Sequence, residues 1–347
     1  MRHKKTLLII LLLILVAASS SWISIVIVSC YHRELDKSPV IQDENKNQIK
    51  ITSEPIRSSR FQYIKPLLVL GSKGAENQQM INLQQQLKQL IEQKKNLHDI
   101  ADASIYVSDL SSNEEIELND QLRFYPASLM KVNTLITLML QADRDPSFLS
   151  RKILVVGTRK DVRSQSFQDN FRIKSGENYS IRELIESMII DSDNLATATL
   201  HQVVDVRIFK QILADLEIPF TEVNDANFGI SASQYARLFR LIYNSALIST
   251  QHAELAMTIL AKSKFEKGFK QGVPDDVVMV DKFGEHGTSP EKDPEGFRQL
   301  HECAIFYVDD KPYLVCVMTK GNNLEKLSAT LGEISRVIYN QRTQKAS

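Results

Sequence analysis

The chain has 347 residues, with 42 Lys plus Arg against 42 Asp plus Glu, three cysteines and seven scattered histidines. That balance leaves no excess of positive charge to condense on a phosphate backbone, which argues against nucleic acid as a partner. No Cys-x-x-Cys pair or His-Glu-x-x-His run occurs, so neither a metal nor a cofactor is expected. The length suits one sizeable core of mixed helix and strand.

In chain order, Arg2, His3, Lys4 and Lys5 precede apolar residues 7–18, and a second apolar patch comes next at 22–28. Together they supply roughly 20 residues, enough to span a hydrocarbon core as a helix with the basic end left inside. Residues 1–30 therefore read as a signal-anchor or signal peptide, with three readings open: retention, cleavage near 17–21, or lipid attachment at Cys30. Each exports the rest of the chain, makes the membrane a partner, and places the folded domain outside the cell membrane. Residues 31–75 are polar, with Pro39, Pro55 and Pro66, and read as a stalk or linker; the apolar patch at 67–70 has an open role.

Met80, Leu83, Leu87, Leu90, Ile91 and Leu97 form a stripe that predicts a helix over 76–97. Strands are expected over 103–108 and through Ile116 and Leu118, with a turn at 111–113. A helix opening near Ser128 carries Leu129, Val132, Leu135, Ile136, Leu138 and Met139 and is expected to be central and buried. Further helices are expected over 182–190, from Asn194, and over 206–216, 233–243 and 251–261. Beyond Gly272 the period changes to two: residues 277–280, 303–308 and 313–318 read as neighbouring strands, with a last helix over 324–339. Strands at both ends with helices between them predict an α/β (α+β) fold: an antiparallel sheet flanked by helices, with an inserted all-helical lobe, over residues 76–343. Cys303 and Cys316 flank Asp309-Asp310, and a two-residue loop there sets them opposite each other. Their apolar surroundings fit buried thiols first and a cross-strand disulfide second.

Ser128 and Lys131, three residues apart at a helix start, share one face. A serine hydroxyl is a poor nucleophile until a base takes its proton, and a lysine serves as that base only where burial and nearby positive charge lower its pKa. Leu129, Met130 and Val132 supply apolar surroundings, and the helix amino terminus supplies N–H groups suited to an oxyanion. Taken alone, Ser-x-x-Lys equally fits a serine cap with a surface lysine after it. Ser192-Asp193-Asn194 falls in a polar break between helices, where Ser192 can relay a proton and Asn194 can hold an amide, although a helix cap also explains it. Lys282-Phe283-Gly284 ends an apolar strand. Lys282 adds positive potential and Gly284 allows close backbone approach to the acyl group, although a solvated strand end has the same look.

These three motifs, in this order, resemble the Ser-x-x-Lys, Ser-Asp-Asn and Lys-Thr-Gly elements of the serine β-lactamase and penicillin-binding protein superfamily, most closely its class A type. The resemblance implies a β-lactamase/transpeptidase-like fold with the site between sheet and helical lobe, in a bacterial envelope protein. It implies Ser128 as the acylated nucleophile, Lys131 as its base, Ser192 as proton shuttle, Asn194 as a substrate contact and Lys282 as an electrostatic clamp. The N–H groups of Ser128 and Glu285 would form the oxyanion hole. Two places depart from the family pattern. Phe283 replaces the family's threonine or serine and loses a hydroxyl donor, at about 1 to 3 kcal/mol. In the loop that carries the family's deacylating glutamate, Asn224 fits the asparagine, Phe220 stands where the base belongs, and Glu222 lies two residues late. Arg298 is a substitute for the family's carboxylate-binding arginine, whose place falls near Leu300 or His301. The expected function is serine acyl transfer to a β-lactam or peptidoglycan-type amide, with inefficient β-lactam turnover. The alternative is a non-catalytic envelope binding or scaffold domain that keeps the fold.

Overall fold

The computed structural model describes residues 56–57, 61–69, 78–162, 166–167, 171–219, 228–287, 297–308 and 311–343, all within the unit Ile51–Ser347. A short antiparallel pair, β1 (Ile56–Arg57) and β2 (Leu67–Val69), precedes α1 (Gln78–Asn96). The stripe of Met80, Leu83, Leu87 and Ile91 is the buried face of α1, as its three- and four-residue spacing requires. Then come β3 (Asp102–Asp109), β4 (Glu114–Leu118), a single 3-10 turn over Ala127–Met130, and α2 (Lys131–Arg144). A small antiparallel pair not anticipated from the sequence, β5 (Lys152–Leu154) and β6 (Asn178–Ser180), leads into α3 (Ile181–Ile190). Helices α4 (Asn194–Leu200), α5 (Val206–Asp215), α6 (Ala232–Tyr243) and α7 (Thr250–Leu260) complete the lobe. Ser180 with Glu183 and Ser231 with Gln234 close reciprocal capping boxes that fix where α3 and α6 begin.

The last strands are β7 (Val278–Gly287), β8 (Arg298–Val308) and β9 (Lys311–Gly321), with α8 (Leu324–Thr343) after them. The main sheet is antiparallel throughout, in the order β4-β3-β9-β8-β7, so β7 is an edge strand. All three strands run longer than their apolar patterns, because Lys282, His301, Glu302 and Thr319 are polar residues buried inside them. Strand alternation divides the core into two layers. Tyr106, Val280, Cys303, Ile305, Leu314, Cys316 and Met318 pack with the helical lobe. Ile105, Val107, Met279, Phe283, Leu300, Ala304, Val315 and Val317 pack with α1 and α8.

Cys303 and Cys316 are register partners on β8 and β9, with Cα atoms 4.0 Å apart, and they are joined by a disulfide. The cross-strand bond is thus realised in place of free thiols. Part of the expected stalk packs on the domain. The Glu254 carboxylate accepts the backbone N–H groups of Gln62 (3.0 Å), Tyr63 (3.1 Å) and Ile64 (3.1 Å). Ile64 is fully buried, Lys65 N–H donates to the Tyr243 carbonyl, and the Tyr307 hydroxyl donates to the Tyr63 carbonyl.

The expectation of a membrane anchor is corrected. Among the described residues no helix is long and apolar enough to cross a membrane. The apolar stretch that carried the expectation, residues 7–28, lies outside them. The membrane as a partner, and the placement of the domain at the outside of a cell membrane, rested on that stretch alone and fall with it.

Candidate active site

The segment from Phe124 to Met130 is pinned from four directions. Phe124 forms a backbone bridge with Ile230. Tyr125 N–H donates to Gln299 Oε1 at 3.0 Å, and its carbonyl accepts from His301 Nε2 at 3.0 Å. The Leu129 carbonyl accepts the Tyr235 hydroxyl at 2.9 Å. His301 receives Thr319 N–H on its other ring nitrogen, and burial pushes its pKa down to about 3, so the ring stays neutral and the Nε2–H remains a donor. Gly284 on β7 lies against the same turn: a Cβ there would stand 2.8 Å from the Pro126 carbonyl oxygen and 2.9 Å from Leu129 Cγ. The missing side chain therefore lets β7 pack directly on the turn, whereas the approach expected of this glycine was to a substrate acyl group.

Ser128 is half-buried in the turn, one residue after Ala127, whose φ of 49° lies in the left-handed region. Lys131, one turn on, is buried. Its Nζ lies within hydrogen-bond reach of the Ser192 carbonyl, of Ser192 Oγ at 3.2 Å and of Asn194 Oδ1 at 2.7 Å. Burial first, then the positive charge of Lys282, lowers its pKa well below the ordinary lysine value, against an opposing pull from Asp193. The contacts that hold the Lys131 amine thus come from the Ser192 turn, and the helix start places Ser128 one turn before it.

The Ser192 turn is itself over-determined. Ser192 takes a left-handed φ of 50°, a conformation costly enough for a non-glycine residue that its surroundings must impose it. Asp193, fully buried, caps α4 by accepting Leu195 N–H at 2.8 Å, and also receives the Ser187 hydroxyl and the Arg159 guanidinium. Arg159 stacks 4.1 Å from the Phe171 ring centroid. Sequence reading passed over Arg159, Tyr235 and Gln299, since no local pattern marks partners that lie tens of residues away.

Lys282 is fully buried and donates to Ser192 Oγ at 3.0 Å and to the Phe283 carbonyl at 2.8 Å. Burial lowers its pKa to about 7 despite the opposing charges of Asp281 and Glu302. The Phe283 ring, 2% exposed, stacks on Phe265 at 4.1 Å, and the Lys282 ammonium lies 4.3 Å from its centroid. It therefore belongs to the core layer beneath α8 and supports the neighbouring cation through its π face. Glu285 is tied by its carboxylate to Ser166, whose hydroxyl donates at 2.6 Å and whose N–H donates at 3.0 Å. Tyr125, His286 and Phe228 form an aromatic rim, with Tyr125 and His286 ring centroids 4.3 Å apart. Arg298 is exposed at the start of β8, in register with Gly287 of β7, and Glu222 and Asn224 lie outside the described residues. Among the described residues no group of His, Cys, Asp or Glu is arranged to hold a metal.

An antiparallel sheet flanked by helices, with a buried amine held on a serine turn, is the architecture of a β-lactamase/transpeptidase-like fold. The chain belongs to the beta-lactamase enzyme family, whose sequence model matches residues 82–342. Solved structures agree on the fold. A PBP-A variant in acyl-enzyme complex with penicillin G is 18% identical, covering 75% of this chain and 96% of that one with a TM-score of 0.60. A beta lactamase from Xanthomonas campestris pv. campestris is 14% identical, covering 75% and 98% with a TM-score of 0.61. The TLA-3 extended-spectrum beta-lactamase is 15% identical, covering 75% and 100% with a TM-score of 0.64. A comparison with curated protein sequences gives no match.

Proposed function

We propose that this chain is a serine acyl-transfer hydrolase in which Ser128 attacks the carbonyl carbon of a β-lactam or a peptidoglycan-type peptide amide. The observation that carries the reading is the buried Lys131 amine, held on the Ser192 turn with Lys282 bonded to the same hydroxyl. As the Ser128 Oγ–C bond forms, the hydroxyl proton passes to Lys131, whose depressed pKa favours the neutral amine that accepts it. When the amide C–N bond breaks, Ser192 delivers a proton to the leaving nitrogen and is replenished from Lys131. N–H groups at the start of a helix lack intrahelical partners, so that of Ser128, with that of Glu285, serves the oxyanion. Asn194 and Asn224 hold the substrate amide, and Lys282 and Arg298 draw its carboxylate.

Phe283 bears on efficiency. It gives the carboxylate no hydroxyl donor, and Gly284 beside it supplies only backbone. Because Phe220 stands where the deacylating base belongs and Glu222 lies two residues late, acylation is expected to outpace turnover, with Glu222 as the group that activates the hydrolytic water. Mass spectrometry after incubation with penicillin and cephalosporin probes tests this: one adduct on Ser128, absent from S128A, is expected. In E222Q the adduct should persist. A wild-type chain that acquires no adduct and cleaves no wall peptide would instead favour a binding or scaffold role.

A further inference from the structure

Behind Lys282 lies a group that the acyl-transfer reading does not use. Asp281 and Glu302 are 1% and 0% exposed. The β7–β8 register pairs Phe283 with Glu302 and Asp281 with Ala304. The two residues are therefore diagonal neighbours on one face of the sheet, at a backbone spacing of roughly 7 to 8 Å. Asp281 Oδ2 receives the Ser263 hydroxyl at 2.7 Å, and Glu302 Oε2 receives Phe269 N–H at 2.8 Å. Glu302 Oε1 has no hydrogen-bond partner among the described residues. The backbone closes over this carboxyl so tightly that a Cβ on Gly268 would fall within 2.2 Å of Oε2.

An ionised carboxylate with one oxygen unbonded in a dry layer costs several kcal/mol, and two such groups side by side cannot both ionise. A proton removes both penalties. We propose that Asp281 and Glu302 hold one proton between them at neutral pH, and that the single negative charge left on the pair is the positioning group that keeps Lys282 an ammonium behind Ser192. Below the Lys282 pKa of about 7 the charge balance is one cation against one anion, with Glu302 neutral.

Burial raises both carboxyls, and the Asp281 charge raises Glu302 further, in agreement with this arrangement. The other charges felt by the pair are Lys270 and Glu266, joined to each other at 2.8 Å, and Lys282 itself. From α8, Ser328 and Ser335 meet this segment with hydroxyls that do not titrate here. From β9, Val317 stands opposite Glu302.

The protonated pair makes a prediction that is independent of catalysis. A carboxyl whose folded pKa is raised binds its proton in the native chain after the unfolded chain has lost it, so stability falls as pH rises through that window. Thermal and urea melts of the full chain from about pH 5 to about pH 9 should show wild type losing stability relative to E302Q, which mimics the neutral acid, as pH rises. The buried amines of Lys131 and Lys282 slope both curves the other way and cancel in the difference. Parallel curves would overturn the shared proton. If E302Q does not fold, the infrared carbonyl band of a protonated acid in wild type decides: its persistence at about pH 8 supports the pair and its absence refutes it.

The positioning role rests on the serine acyl-transfer reading and is read from the pH profile of Ser128 acylation by penicillin. D281N should move the alkaline limb down by about 1 pH unit, because Lys282 loses its counter-charge. An unmoved limb in a folded D281N overturns the role. A wild type that is not acylated at any pH sinks the acyl-transfer reading and this role with it, while the melts still decide the shared proton.

Discussion

Along β7, alternate residues serve two different environments. Lys282 turns to the Ser192 hydroxyl, which it shares with Lys131, and Gly284 lies against the Ser128 turn. Asp281 and Phe283 turn to the layer beneath α8, where the aromatic stack is complete but a carboxyl oxygen is left alone among the described residues. A buried polar network helps a fold only when each member is satisfied. The contrast shows which side of the strand holds the structure together and which side is held in readiness by it.

Substitutions on the two sides should therefore separate activity from stability. The largest effect is expected for K131M, which removes the base and should slow Ser128 acylation by about 10²- to 10⁴-fold. The same variant should melt higher than wild type. An amine with a depressed folded pKa makes stability rise with pH, so the gain from removing it is greatest at low and neutral pH. Urea titrations at several pH values check the sign. On the other side, F283A empties the stack against Phe265 and should cost about 3–5 kcal/mol in urea melts. The smallest effect is expected for G284A, which sits on the boundary. Its methyl group meets the Pro126 carbonyl and Leu129 and should cost about 1–3 kcal/mol. It should also slow acylation by up to about 10²-fold through misplacement of the turn. If G284A lowered stability alone, the boundary between the two environments would lie elsewhere.

How much of this is legible in the sequence depends on range. The Ser128 and Lys131 spacing is local, and the structure gathers Lys131 with Ser192 and Lys282 as the motif order implies. The direction of the Phe283 ring is also within reach, since Met279, Asp281 and Phe283 share a parity on β7 that Val280, Lys282 and Gly284 oppose. What escapes a sequence reading are contacts made across the chain: His301 and Gln299 on Tyr125, Tyr235 on Leu129, Arg159 on Asp193. Their partners are 34 to 176 positions away. The strand ends escape it for a related reason. Polar residues stay inside β7, β8 and β9 only because distant groups satisfy them, so hydropathy stops short of where the hydrogen bonding does.

The grip of Glu254 on Gln62, Tyr63 and Ile64 has a consequence for handling this protein. These residues lie ahead of the family-matched region, yet a side chain nearly two hundred positions later binds their amides, and Ile64 fills a slot in the lobe. A nick introduced after the clip and before α1 would cut the polypeptide in two without separating the pieces. The short fragment would travel with the body through a column and part from it only in denaturant.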